Sequence, residues 1–106
     1  MQDIFAEDVG SGIPLVLVHG FLGSSDMWIP QIKFFKDNFR VIAPALPGFG
    51  NSSKINSCDS IDCMAKAILN FLAKKNIKQF NLLGHSMGGM IVQEIAKIAG
   101  DKILKL

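Results

Sequence analysis

Residues 84–89 read Gly-His-Ser-Met-Gly-Gly, a G-x-S-x-G pattern in which one serine is flanked two residues away on each side by glycine. A serine held on a very tight strand-to-helix turn takes strained backbone angles, and its Oγ then projects clear of the sheet. Side chains two residues to either side would collide with neighbouring backbone, which accounts for Gly84 and Gly88. Gly89 is expected to let the following helix approach the sheet. That helix, beginning at Ser86, would aim its unpaired N–H groups and positive dipole end at the reacting atoms. The chemistry open to such a serine is attack on an acyl carbon. A second turn, His19-Gly20-Phe21-Leu22-Gly23, stands where a backbone N–H completes an oxyanion hole. The two donors are then the N–H groups of Phe21 and Met87, the latter following the serine. Ser86 is thus the candidate nucleophile, and His19, Gly20, Gly84, His85 and Gly88 shape the elbow and the loop beside it.

These residues need elements to hold them. Ile13–Val18 is an apolar, β-branched run that fits a strand buried on both faces, and Asp3–Glu7 reads as a short strand before it, with a Gly-containing turn over Val9–Gly12. A short helix is expected from about Trp28 to Lys36, with Pro30 tolerated in its first turn. Arg40–Ala43 is a second short buried strand, and Leu46–Ser53 is a loop. Ile61, Met64, Ala65, Ile68, Phe71 and Leu72 fall on one helical stripe. Ser60 is its N-cap, and Lys74-Lys75-Asn76 supplies favourable charge and a left-handed stop. Gln79–Leu83 reads as a strand leading into the Ser86 turn. The helix beyond buries Met90, Ile91, Ile95, Ile98 and Ala99, turns Gln93, Glu94 and Lys97 to water, and ends at Gly100. Ile103–Leu106 opens a further strand, an apolar edge without a neighbour that invites pairing with another chain. Alternating strands and helices imply an α/β fold, a mostly parallel sheet with helices on both faces, and ligands in such sheets bind beyond the carboxyl ends of the strands. Both Gly-rich turns lie there.

Composition narrows the functional classes. Of 106 residues 49% are apolar and 19% charged, with a net charge of +2, which suits one packed domain and argues against a nucleic-acid footprint. No apolar run approaches the roughly 20 residues of a membrane span, and the first ten residues lack the pattern of a signal peptide, so a cytoplasmic protein without membrane partners is expected. Cys58 and Cys63 form neither a metal pattern nor a disulfide framework and read as reduced bystanders. Neither G-x-G-x-x-G nor a P-loop occurs, which argues against a dinucleotide or phosphate cradle. Trp28, Phe34 and Phe35 read as packing a helix onto the sheet, with Trp28 also a candidate for substrate contact. Met64 and Met90 read as core fillers.

Three blocks in this order, GSGIPLVLVHGFLGSSDMW, VIAPALPGFGNSS and LLGHSMGGMIVQEIA, closely resemble the first half of an α/β-hydrolase. The similarity runs from about Ile4 to Leu106 and is nearest to small esterases, enol-lactonases and carbon–carbon bond hydrolases. It implies hydrolysis of an ester, thioester or lactone in a small acyl substrate through a Ser86 acyl-enzyme, with no cofactor and no metal. In similar proteins the segment Phe21–Trp28 touches substrate, and His19 shapes the oxyanion loop. Ala45 departs from the family, which often carries Asp there to support loops. A serine at 86 argues against dehalogenases and epoxide hydrolases, which use Asp.

The same resemblance shows what is missing. The family's triad runs Ser, then an acid, then His. No His follows Ser86, and Glu94 and Asp101 do not stand where the acid belongs. His85 neighbours Ser86 on a sharp turn where adjacent side chains diverge, and His19 could reach it only through strand packing. The expectation is therefore the N-terminal part of a single α/β-hydrolase domain, truncated after the nucleophile-elbow helix and nearly inactive alone. The alternative is a non-catalytic remnant, or a split half that needs a complementary C-terminal segment as partner.

Overall fold

The structure is a computed structural model that describes residues 4–20, 25–47 and 60–106. Four strands, β1 (Ala6–Val9), β2 (Ile13–Val18), β3 (Phe39–Pro44) and β4 (Asn81–Gly84), alternate with three helices, α1 (Ile29–Phe35), α2 (Ile61–Lys74) and α3 (Met87–Ala99). The sheet order is β1-β3-β2-β4. β2 pairs in parallel with both β3 and β4, while β1 is antiparallel to β3. This is the mostly parallel α/β sheet that the alternation of elements implies.

The topology follows from handedness. The connection from β2 to β3 steps one way along the sheet, and the connection from β3 to β4 steps back past β2. Keeping both crossovers right-handed puts their helices on opposite faces. Accordingly, Leu17, Val41 and Ala43 pack on one face with Trp28 and Ile32, beneath α1. Val16, Val18, Ile42 and Leu82 pack on the other with Met64, Ile68 and Leu72 of α2 and Ile91, Val92 and Ile95 of α3. Burial on both faces explains why β2 reads as a continuous apolar run rather than an alternation.

α2 is specified at both ends. Ser60 sits in extended backbone and its Oγ accepts from the Cys63 N–H at 3.1 Å, and replacing such a cap removes the partner of an otherwise unpaired helix donor. Ser60→Ala should lower the unfolding free energy by about 1 kcal/mol in a urea titration, whereas an unchanged midpoint would mean that the cap is not formed. At the other end Asn76 takes φ 59, the Ile77 N–H donates to the Leu72 carbonyl and the Asn76 N–H to the Ala73 carbonyl, both at 3.0 Å. That pair of bonds is a Schellman stop, closed by the contact of buried Ile77 with Leu72. At the sheet's other edge, a two-pronged Asp8–Arg40 pair at 2.9 and 2.7 Å clamps β1 to β3. The Arg40 hydrogen bonds hold the Asp8 carboxyl below the usual carboxylate range.

Several expectations need correction. α1 starts at Ile29, preceded by a 3-10 turn over Ser25–Trp28, and Phe34 projects into solvent on the helix's outer side. On α3 the buried stripe is Gly88, Ile91, Val92, Ile95 and Ala99. Met90 and Ile98, expected in the core, are 53% and 44% exposed. Met90 stands on the side of α3 that carries Gln93, Glu94 and Lys97, three, four and seven residues on, and Ile98 lies at the rim of the buried stripe. The chain after α3 is not without a neighbour. Ile103 bridges Phe80 in parallel, and the Leu104 N–H donates to the Phe80 carbonyl at 2.8 Å. The Leu82 N–H then meets the Lys105 carbonyl, one residue out of step, so the contact stays a bridge. Cys63 is disulfide-bonded rather than reduced; Cys58 lies outside the described residues. No helix among the described residues is long and apolar enough to cross a membrane.

Candidate functional site

The register of the two central strands builds the site. Val18 is paired with Gly84, so the turns leaving β2 and β4 emerge side by side at the same end of the sheet. The His85 N–H donates to the Val18 carbonyl at 3.1 Å, carrying the ladder one residue beyond β4. The backbone then reverses sharply at Ser86, with φ 59 and ψ −122. A non-glycine residue rarely adopts this combination, which is costly unless its surroundings enforce it. Helix α3 begins at once, and the Gly88 and Gly89 N–H groups donate to the carbonyls of His85 and Ser86, both at 2.9 Å. Ser86 makes no side-chain cap bond to the helix it begins, and the residue is exposed. Its hydroxyl therefore points out of the turn rather than back into it.

The surroundings that enforce this conformation are backbone. A Cβ on Gly84 would overlap the Gly88 carbonyl, and one on Gly88 would overlap the Val18 carbonyl and stand 2.8 Å from that of His19. Neither position has room for a side chain. The expectation for Gly89 is corrected: a Cβ there would meet nothing within 4 Å. The close approach of α3 to the sheet occurs at Gly88, on the side facing β2, while Gly89 lies a helical step around.

Gly20 closes the site from the β2 side. A Cβ on it would stand 2.9 Å from Ser86 Cβ and 3.4 Å from the Met87 nitrogen. The turn after β2 therefore lies directly against the serine and the first amide of α3, which belongs to the unpaired first turn of the helix. Phe21, expected to donate the other oxyanion N–H, lies outside the described residues, as do Leu22, Gly23 and the loop positions 48–53. His19 is fully buried. Its Nδ1 is 2.8 Å from the Gly20 carbonyl and its Nε2 accepts the Leu46 N–H at 3.0 Å. Burial pushes the imidazole below its ordinary pKa. Nothing in the sequence signals the bond to Leu46, because it joins residues 27 apart through a main-chain N–H. His85 is exposed on the turn itself.

Trp28 is 5% exposed and packs with Leu17, Ile32, Val41 and Ala43 on the α1 face. Its indole N–H has no hydrogen-bond partner among the described residues. Glu94 lies along α3 and Asp101 in the 3-10 turn over Gly100–Lys102 beyond it. Neither acid is brought to Ser86. Among the described residues no three side chains of the metal-ligating types come together.

A family model for the alpha/beta hydrolase fold matches residues 13–106. The chain belongs to the α/β-hydrolase family. Among its relatives, the (E)-2-((N-methylformamido)methylene)succinate hydrolase of Acinetobacter baylyi is 30% identical over 92% of this chain, which covers 37% of that protein. A dihydrolipoyllysine-residue acetyltransferase component of the acetoin cleaving system of Pseudomonas putida is 37% identical over 90% of this chain, which covers 26% of it. Among solved structures, a thermophilic esterase from Thermogutta terrifontis superposes with a TM-score of 0.89 at 35% identity, over 94% of this chain and 37% of the esterase. The chain therefore spans about a quarter to two-fifths of the length of these relatives.

Proposed function

We propose that this chain carries the nucleophile and oxyanion half of a serine hydrolase acting on a small ester, thioester or lactone. The observation that carries the reading is the backbone of Ser86, held at φ 59 and ψ −122 with Gly20 packed against it. Strain of this kind persists only where neighbours enforce it, and here it exposes a hydroxyl between two backbone turns. In the proposed reaction Ser86 Oγ attacks the carbonyl carbon while a base takes its proton. The oxyanion is held by the N–H groups of Phe21 and Met87 until the alcohol or thiol leaves with a proton. Water then attacks the acyl carbon, the Oγ bond breaks, and the acid product departs. No metal or cofactor enters these steps.

The base is the part these residues do not place. Both ring nitrogens of His19 are engaged, and His85 sits on the serine's own turn. We assign the acid and the histidine to a complementary segment, the partner this half requires. A fluorophosphonate probe should label Ser86 when such a segment is supplied, seen as a mass increase on the peptide holding residues 84–89 and absent from Ser86→Ala. Labelling at any other residue would refute the reading. The second reading is a non-catalytic half. It is favoured by the engagement of His19, and it predicts no labelling under any complementation.

A further inference from the structure

We propose that the foot of α1, at the pole opposite Ser86, is a face that lies on an anionic lipid surface. The parallel strands β2, β3 and β4 start at this pole and the three helices end there, whereas Ser86 stands beyond the carboxyl end of β4. An apolar row reaches the surface here. Ile13 begins β2 and is paired with Phe39 at the start of β3, so the two side chains share one face of the sheet. It is the α1 face, because Phe39 packs against the cluster of Leu17, Trp28 and Val41. Phe35 meets the Phe39 ring edge-on at 6.0 Å, and Phe34 meets Phe35 edge-on at 4.9 Å. Both ends of the row stand in solvent, with Phe34 74% and Ile13 53% exposed. An exposed apolar patch with a polar rim marks a contact surface. Phe34 projects outward rather than lining a hollow, which suits insertion into a soft interface better than capture of a peptide in a groove.

The rim is basic. Lys33 stands beside Phe34 in the last turn of α1 and Lys36 caps the helix, both exposed. On the far side of Ile13 the chain entering β4 brings Lys78, which lines one shallow hollow with Gln79, Asp101 and Lys102. Among the described residues none of these four lysines makes an ion pair. Helix ends account for only part of this charge. Each end carries about half a negative elementary charge, yet each is followed or flanked by two lysines: Lys33 and Lys36, Lys74 and Lys75, Lys97 and Lys102. Asp8 is taken by Arg40, and the exposed Asp37 and Asp101 leave the pole positive. The net charge of +2 averages this pole with the rest of the chain and so conceals it. A lysine lays its stem along apolar surface and keeps its ammonium among headgroups, and binding to lipid draws on both signals, apolar insertion and a basic rim. The expectation of no membrane partner rests on the lack of a span and of a leader, and a face that rests on a bilayer needs neither. With this face on lipid, Ser86 looks into the aqueous phase.

The test is co-sedimentation of the 106-residue chain with vesicles of phosphatidylcholine, alone or mixed with an equal part of phosphatidylserine. The chain should pellet with the mixed vesicles and stay in solution with the neutral ones, and added salt should release it. Lys33→Gln and Lys36→Gln should each weaken partitioning about fivefold, and Phe34→Ser about tenfold. Lys66→Gln, on α2 away from this pole, should leave it unchanged. Lys33, Lys36 and Phe34 are exposed, so these variants test the surface and not the fold. Phe34→Trp should shift its emission to the blue on the mixed vesicles alone. Equal pelleting with both kinds of vesicle, or an equal loss in Lys66→Gln, would overturn the proposal. Capture by poly-glutamate without vesicle binding would overturn it in favour of an acidic protein partner. Ser86→Ala should bind as wild type does, so this face and the serine-hydrolase reading stand or fall separately.

Discussion

Residues 1–106 alone are expected to hydrolyse an activated ester no faster than their own Ser86→Ala variant. The serine is well presented, but a neutral alcohol needs an acceptor for its proton. Removing the base from a triad costs on the order of 10⁶ in turnover, about as much as removing the serine. The described residues hold no base in position. His19 gives Nε2 to Leu46 and Nδ1 to Gly20. His85 shares the sharp turn with Ser86, where consecutive side chains diverge. Asp101 follows a 13-residue helix, which at 1.5 Å per residue puts it roughly 20 Å from the serine. Glu94, midway along the same helix, is about half as far. Supplying a segment with a correctly placed Asp–His pair should restore turnover that Ser86→Ala removes again. The measurement is release of p-nitrophenolate from an acetyl ester by wild type, variant and complemented chain. Wild-type turnover well above the variant without complementation would show that a base exists within these residues and would sink this account.

Gly88→Ala should cost about 3 kcal/mol or more of folding stability, whereas Gly89→Ala should stabilise by about 0.5 kcal/mol. The two positions are adjacent and equally helical, so propensity alone predicts the same small gain for both. Packing separates them. The added methyl at Gly88 would overlap the Val18 carbonyl and press on that of His19. Neither carbonyl can yield cheaply, because Val18 is paired with Gly84 and accepts from the His85 N–H. Either α3 moves off the sheet, unseating Ser86, or β2 leaves its register. At Gly89 the methyl projects into open space. Urea unfolding of the two variants beside wild type measures the difference. Equal destabilisation would mean that α3 does not approach β2 as described.

Much of this molecule is legible in one dimension because the determining interactions are local. The Ser60 cap, the Asn76 stop and the apolar stripe of α2 act within one or two helical turns, and the structure places all three as the residues imply. β2 is legible for the opposite reason: a strand covered on both faces has no polar face to confuse the pattern, and Ile13–Val18 forms as expected. The Ser86 turn is legible because a strained serine leaves a mark in its neighbours, the glycines at 84 and 88.

What the sequence alone left open depends on which surface meets which. The rim of α3 is apolar like its centre, so only docking against β2 and α2 buries Val92 and leaves Ile98 exposed. Met90, in contrast, lies in line with Gln93, Glu94 and Lys97, and the helical period alone turns it outward. Gly88 and Gly89 are indistinguishable as letters, and only the approach of one backbone to another makes the first indispensable. The partner of His19 is a main-chain N–H at Leu46, a group every residue except proline carries, so no residue type could announce it. Local sequence determined the elements and the serine's turn, because those rest on backbone conformation and short-range hydrogen bonds. Tertiary structure decided which histidine was engaged and which glycine was essential, because those rest on where β2, β4 and the loop after β3 come together.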